Sequence, residues 1–134
     1  MEVIEKAEAM LEFTQASASL GKRIGFVPTM GALHKGHAEL VRRSIESCDV
    51  TVVSVFVNPT QFNDSSDLEK YPRTFDSDKA LLTALGADVM FFPSVHEIYP
   101  NSEISTQKFE LNGLDSTMEG PSRPGHFNGV VQVV

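Results

Sequence analysis

The chain has 134 residues, of which 41% are hydrophobic and 22% charged, as in an ordinary globular domain with its own core. A net charge of −7 speaks against a nucleic-acid partner, and a single cysteine excludes an intrachain disulfide framework. No apolar run approaches the roughly 20 residues that cross a bilayer. The acidic N-terminal segment lacks the basic region of a signal peptide, so we expect a cytoplasmic protein without a membrane partner.

Helical and strand patterns alternate along the first hundred residues. The predicted helices cover residues 2–19, residues 36–47, and a segment that starts at Thr74 or Asp76 and ends at Gly86. The predicted strands are 24–27, ended by Pro28, then 50–57 and 89–92. This alternation predicts an α/β fold, a Rossmann-like doubly wound parallel sheet in three α/β/α layers.

The pattern weakens after Tyr99, where residues 104–111 alternate loosely and are interpreted as one more strand. A new apolar element begins at His126, and the sequence stops inside it. Domains seldom finish on an apolar run, so we expect residues 1–134 to be part of a longer protein.

The segment from Val27 to His37 is interpreted as a phosphate-binding turn. A buried strand runs into Pro-Thr-Met-Gly, and the helix that follows carries His34 and His37 near its start. In open α/β sheets, ligands bind at the carboxyl ends of strands, where helix N-termini offer unpaired N–H groups to phosphates. Two imidazoles three residues apart share one helix face and can donate hydrogen bonds to phosphate oxygens.

Two other interpretations of the histidine pair remain open. His34 and His37 could ligate zinc, although no third ligand is near in sequence and both His96 and His126 are distant. They could also be ordinary surface histidines. The segment is neither a dinucleotide fingerprint nor a Walker loop, because the Gly-Lys-Ser/Thr ending is absent.

A family resemblance narrows these possibilities. The segment His34-Lys35-Gly36-His37 resembles the His-x-Gly-His signature of nucleotidylyltransferases and class I aminoacyl-tRNA synthetases. Four segments, in the same order, resemble the pantoate–β-alanine ligase family: 28–37 (PTMGALHKGH), 57–62 (VNPTQF), 71–74 (YPRT) and 119–127 (EGPSRPGHF). They are spread over residues 28–127, which makes this resemblance far more specific than the signature alone.

The resemblance implies ATP-dependent condensation of (R)-pantoate with β-alanine, giving pantothenate, AMP and pyrophosphate through a pantoyl adenylate. It implies that His34 and His37 are the catalytic residues at the ATP phosphates, with Mg²⁺ held by those phosphates and no metal site on the protein itself. The ATP-binding residues that it implies are Thr29, Met30, Gly31, Ala32, Leu33, His34, Lys35, Gly36 and His37.

The same resemblance assigns a pocket for pantoate and β-alanine, formed by Gln61, Met30, Asn58, Tyr71, Arg123, His126 and Val130. The amide of Gln61 both donates and accepts, which suits a hydroxy acid. Asn58 is equally interpretable as a turn residue before Pro59, and Tyr71 as a core residue. Asp76 and Asp78 are interpreted as helix-start residues rather than catalytic carboxylates.

Family chains continue past residue 134 into a further ATP-binding segment and a smaller C-terminal domain. Residues 1–134 are therefore expected to be a nucleotide- and pantoate-binding N-terminal domain, weak or inactive alone, from a homodimeric enzyme. The alternatives are a nucleotidylyltransferase with another acceptor and a non-catalytic nucleotide-binding module.

Overall fold

A computed structural model describes residues 1–59, 69 and 71–100. The strands are β1 (Glu2–Ile4), β2 (Ile24–Thr29), β3 (Val50–Val55) and β4 (Val89–Phe91). The helices are α1 (Ala7–Ser19), α2 (Lys35–Ser47), α3 (Phe75–Leu85) and α4 (Val95–Ile98). The four strands form one parallel sheet in the order β1-β4-β3-β2.

Helices cover both faces of this sheet, and β3 is buried along its whole length between them. On one face, Val53 and Val55 pack with Val41 of α2 and Leu82 of α3. On the other face, Val50 and Val52 form a cluster with Met10 of α1, together with Ile4 and Val89. Residues two apart on a strand share a face, so the uninterrupted apolar run of β3 supplies both clusters. The predicted three-layer α/β/α arrangement is confirmed.

The predicted first helix was wrong at its start. Residues 2–4 form β1, which pairs in parallel with β4 and buries Ile4. Helix α1 begins only at Ala7, whose N–H donates to the Glu97 carboxylate at 3.1 Å. Val3 and Ile4 continue the helical spacing of the apolar residues in α1, and the sequence pattern therefore predicts helix there. Their strand conformation depends on pairing with the distant residues 89–91.

Pro28 does not end β2, contrary to the sequence prediction. The strand continues to Thr29, and Pro28 is in register with Ser54 of β3. Because β2 lies at the edge of the described sheet, a missing N–H on its outer side removes no ladder hydrogen bond. The two additional residues carry the chain further along β3 before the turn toward α2 begins.

The predicted strand at 104–111 and the apolar element from His126 lie outside the described residues. Within the described ranges, no helix is long and apolar enough to cross a membrane.

Candidate active site

The turn between β2 and α2 lies at the carboxyl edge of the sheet, and Thr29 ties it to the neighbouring strand β3. The buried Thr29 hydroxyl donates to the Ser54 carbonyl of β3 at 2.8 Å and accepts the N–H of Gly31 at 3.2 Å. The chain then reverses through two residues with positive φ, Gly31 at 82° and Ala32 at 51°. Glycine adopts this conformation readily, whereas alanine adopts it only when its surroundings impose it.

Asp78 of α3 also holds this turn, through hydrogen bonds to its backbone. Its carboxylate accepts the N–H of Ala32 at 3.0 Å, the N–H of Leu33 at 2.9 Å and the Thr74 hydroxyl at 3.0 Å. The side chain is only 3% exposed, so these bonds form away from bulk water. The sequence interpretation of Asp78 as a helix-start residue located it correctly in the first turn of α3 but missed these contacts.

His34 and His37 cap the N-terminus of α2 reciprocally. The Nδ1 atom of His37 accepts the N–H of His34 at 3.1 Å, and Nδ1 of His34 accepts the N–H of Gly36 at 3.0 Å. A ring nitrogen that accepts a hydrogen bond carries no proton, so each neutral ring carries its proton on Nε2. The ring centroids lie 4.0 Å apart, which brings two Nε2–H donors together at the start of one helix.

The surroundings favour the neutral form of His37. Burial lowers the pKa of its imidazole below the ordinary value of 6.5, and neighbouring His34 lowers this pKa further, whereas the Asp78 carboxylate acts in the opposite direction. At neutral pH the His37 ring is therefore an uncharged Nε2–H donor.

These contacts occupy most of the backbone N–H groups of the turn, which leaves fewer of them to bind a phosphate. Residues 31–34 and Gly36 already donate their backbone N–H groups to Thr29, to Asp78 or to a capping histidine. The sequence interpretation assigned phosphate binding both to such N–H groups and to the two imidazoles. The imidazole Nε2–H groups, together with the helix dipole, are the better candidates in this geometry.

The histidine cap requires glycine at position 36. A Cβ atom at this position would lie 2.9 Å from Cε1 and 3.1 Å from Nδ1 of the His34 ring. Any side chain at position 36 therefore displaces the ring that caps the helix.

In the longer enzyme that the family resemblance implies, the substitution Gly36→Ala is expected to lower kcat about tenfold or more, because it moves His34 out of its capping position. The free energy of unfolding should change by less than about 1 kcal/mol, since better helix propensity offsets a weaker cap. Urea denaturation and steady-state rates of the same preparation check both parts. Unchanged kcat would show that the His34 ring position does not matter.

Some of the other predicted site residues lie at the turn, some elsewhere in the fold and some outside the described residues. Met30 is half-buried and Lys35 exposed, both at the turn, whereas half-buried Leu33 packs against the core. Asn58 is fully buried and accepts the Tyr99 hydroxyl at 2.9 Å, so its side chain joins the segment after β3 to the segment after α4. Tyr71 is half-buried, and its carbonyl accepts Arg73 Nη1 at 3.1 Å. Gln61, Arg123, His126 and Val130 lie outside the described residues.

The described residues offer little for direct metal binding. Within ranges 1–59 and 71–100 and at Glu69, no three His, Cys, Asp or Glu side chains converge on a common point. Both oxygens of the buried Asp78 carboxylate already accept hydrogen bonds.

A parallel α/β sheet with polar side chains at its carboxyl edge is typical of α/β proteins that bind ligands at that edge. Comparison with known proteins is more specific, because the model of the family "Pantoate-beta-alanine ligase" matches residues 2–134. The chain belongs to the pantoate–β-alanine ligase family.

Similar proteins carry names of the same family. Pantothenate synthetase from Bacteroides fragilis is 56% identical over 134 residues, which are 100% of this chain and 47% of that protein. The corresponding enzyme from Porphyromonas gingivalis is 51% identical over the same span, again covering 100% of this chain and 47% of that protein. The chain thus spans about half the length of the curated relatives it matches.

Solved structures agree with this assignment. A pantoate–β-alanine ligase from Francisella tularensis, complexed with beta-gamma ATP and β-alanine, superposes with a TM-score of 0.85 at 41% identity, covering 99% of this chain and 50% of that one. Pantothenate synthetase from Thermus thermophilus gives a TM-score of 0.81 at 40% identity, covering 99% of this chain and 46% of that one.

Proposed function

We propose that this chain is the nucleotide- and pantoate-binding half of an enzyme that condenses (R)-pantoate with β-alanine at the expense of ATP. The observation that carries the proposal is the capped pair His34–His37, whose Nε2–H groups stand at the carboxyl edge of the sheet in a chain of this family. The ATP-complexed relative from Francisella tularensis supports the nucleotide.

The reaction proceeds in two displacements. The pantoate carboxylate attacks the α-phosphorus of ATP, and the bond to the departing pyrophosphate breaks, giving pantoyl adenylate. The β-alanine amine then attacks the activated carbonyl carbon, AMP leaves with the electron pair of its bond, and the amine loses a proton. The first nucleophile is already ionised at neutral pH, so the protein has to align it and offset charge on the phosphates.

His34 and His37 perform the second task in this proposal. Their Nε2–H groups donate to phosphate oxygens that gain charge as pyrophosphate departs, and their capping bonds fix both rings before substrate arrives. Bound Mg²⁺ would supply further charge neutralisation through the phosphates. The remaining ATP contacts are assigned to residues 29–33, Lys35 and Gly36. The Thr29 hydroxyl, being bound to Ser54 and Gly31, acts by supporting the turn.

The pantoate and β-alanine contacts are proposed at Gln61, Met30, Asn58, Tyr71, Arg123, His126 and Val130. Within this pocket the buried Asn58 side chain is held by the hydrogen bond that it accepts from the Tyr99 hydroxyl. The whole enzyme is proposed to be a cytoplasmic homodimer without nucleic-acid or membrane partners.

Exchange of labelled pyrophosphate into ATP tests the proposal. It is measured with this chain alone and with a completed enzyme, in which the chain is followed by the part of the Bacteroides fragilis relative that lies beyond the match. We expect exchange by the completed enzyme that requires pantoate and not β-alanine, and little or none by the 134 residues alone. Exchange driven by another acceptor would indicate a nucleotidylyltransferase, whereas ATP binding without exchange would indicate a non-catalytic module.

The contribution of His37 to adenylate formation is expected to stay constant above the ordinary imidazole pKa of 6.5 and to be lost only at lower pH. Protonated Nδ1 of His37 cannot accept the His34 N–H, and burial holds the pKa of this imidazole below its ordinary value. The folded chain binds this proton less readily than the unfolded chain. The free energy of unfolding therefore also decreases as the pH falls below the ordinary imidazole pKa of 6.5. NMR titration of His37 beside the pH–rate profile checks this expectation; a contribution of His37 that is already lost well above the ordinary imidazole pKa contradicts it.

A further inference from the structure

The Asp78 carboxylate stands in an unexpected place for a site that binds a polyanion. It belongs to α3, yet its oxygens accept the N–H groups of Ala32 and Leu33, which immediately precede the capping residue His34. A carboxylate near phosphates repels them unless nearby donors offset its charge. Here two backbone N–H groups and the Thr74 hydroxyl supply that compensation.

We propose that Asp78 is a positioning residue of the ATP site, which fixes the turn at residues 31–33 so that His34 and His37 meet the phosphates in one orientation. This inference rests on the proposed function. Asp78 touches neither substrate nor reacting atoms; it acts through the backbone that leads into α2.

The backbone of the turn explains why an anchor is needed. Ala32 has a φ of 51°, a conformation that a residue with a Cβ atom adopts only when its surroundings impose it. Thr29 fixes the N–H of Gly31, and Asp78 fixes the next two N–H groups. The turn is therefore tied to β2 and to α3, and the helix that carries the histidines starts directly after it.

Asp78 also acts on the charge state of the site. Its carboxylate opposes the lowering of the His37 pKa that burial and His34 produce. Removing the charge should therefore move that pKa further down, an effect that loss of packing alone would not produce.

The substitution Asp78→Asn tests the proposal in the completed enzyme. The asparagine keeps the size of the side chain and one accepting oxygen, but its NH₂ group cannot accept the N–H that loses a partner. Asp76→Asn is the matched control, because Asp76 is exposed in the same first turn of α3. Leu82→Val, at a fully buried position of that helix, controls for destabilisation alone.

Three readouts are compared: amide hydrogen exchange at Ala32 and Leu33, the His37 pKa by NMR, and kcat against KM for pantoate. For Asp78→Asn we expect roughly tenfold or faster exchange at one of the two amides, a lower His37 pKa, and kcat reduced about 10- to 100-fold with KM within about threefold. Both controls should retain kcat within about threefold of the unsubstituted enzyme.

Unchanged exchange in Asp78→Asn overturns the proposal, as does faster exchange with kcat equal to that of Leu82→Val. If the unsubstituted enzyme lacks pantoate-dependent exchange of pyrophosphate, the proposed function fails on its own. Amide exchange then decides on its own whether Asp78 fixes the turn: faster exchange in Asp78→Asn supports the anchor, and unchanged exchange overturns it.

Discussion

Replacing His37 with asparagine is expected to lower kcat of the completed enzyme about 10²- to 10³-fold, the usual cost of losing one donor to transition-state charge. Asparagine carries its oxygen as many bonds from Cβ as histidine carries Nδ1, so it can still accept the His34 N–H. It has nothing at the Nε2 position. The variant therefore separates the donor from the helix cap, and its stability should stay near that of the parent.

His37→Gln is the companion variant. Its amide NH₂ reaches about as far as Nε2–H, so it supplies a donor without the ring, and its Oε1 can accept the His34 N–H as glutamine does at this position of a capping box. We expect it to recover part of the lost rate while unfolding at a temperature close to that of His37→Asn. Single-turnover adenylate formation and thermal unfolding measure the two effects. If His37→Asn were fully active, the capping bond, and not donation to phosphate, would be the contribution of this residue.

The turn and its histidines were predictable because their signals are local. A strand, Pro-Thr-Met-Gly, and two histidines at helical spacing lie between residues 24 and 37, and the fold places them where α/β sheets bind ligands. The conformation of residues 2–4 was not predictable in this way. Their strand depends on pairing with 89–91, and the apolar spacing of this segment continues that of α1.

The role of Asp78 was hidden for a different reason. It lies 46 residues beyond Ala32, and one acidic residue in the first turn of a helix is explained adequately by the helix dipole. What identifies it is topology: α3 follows β3 along the chain, β3 pairs with β2, and the turn after β2 therefore faces the start of α3. The proximity of Asp78 to this turn can be inferred from a sequence only when the order of the strands in the sheet is known. The sequence pattern was compatible with several strand orders.

Replacing Gly31 with alanine is expected to reduce the free energy of unfolding by about 2–5 kcal/mol and to abolish most of the activity of the completed enzyme. The φ of 82° alone costs about 1–2 kcal/mol for a residue with a Cβ atom. The new Cβ atom would also lie 3.0 Å from Asp78 Oδ2 and 3.1 Å from Val55 Cγ1, and crowding of this kind adds about 1–3 kcal/mol. Denaturation in urea and pyrophosphate exchange measure the two effects.

Gly21→Ala is the matched control, since Gly21 has a similar φ of 75° but nothing within 4 Å of the added atom. It should cost about 1–2 kcal/mol and leave kcat unchanged, because it lies before β2, at the end of the strand away from the turn. The difference between the two variants isolates contact with Asp78 and Val55 from backbone strain. Equal losses of stability and equal activity in both would mean that the turn has room to move, and that its anchoring by Asp78 does not limit the histidine pair.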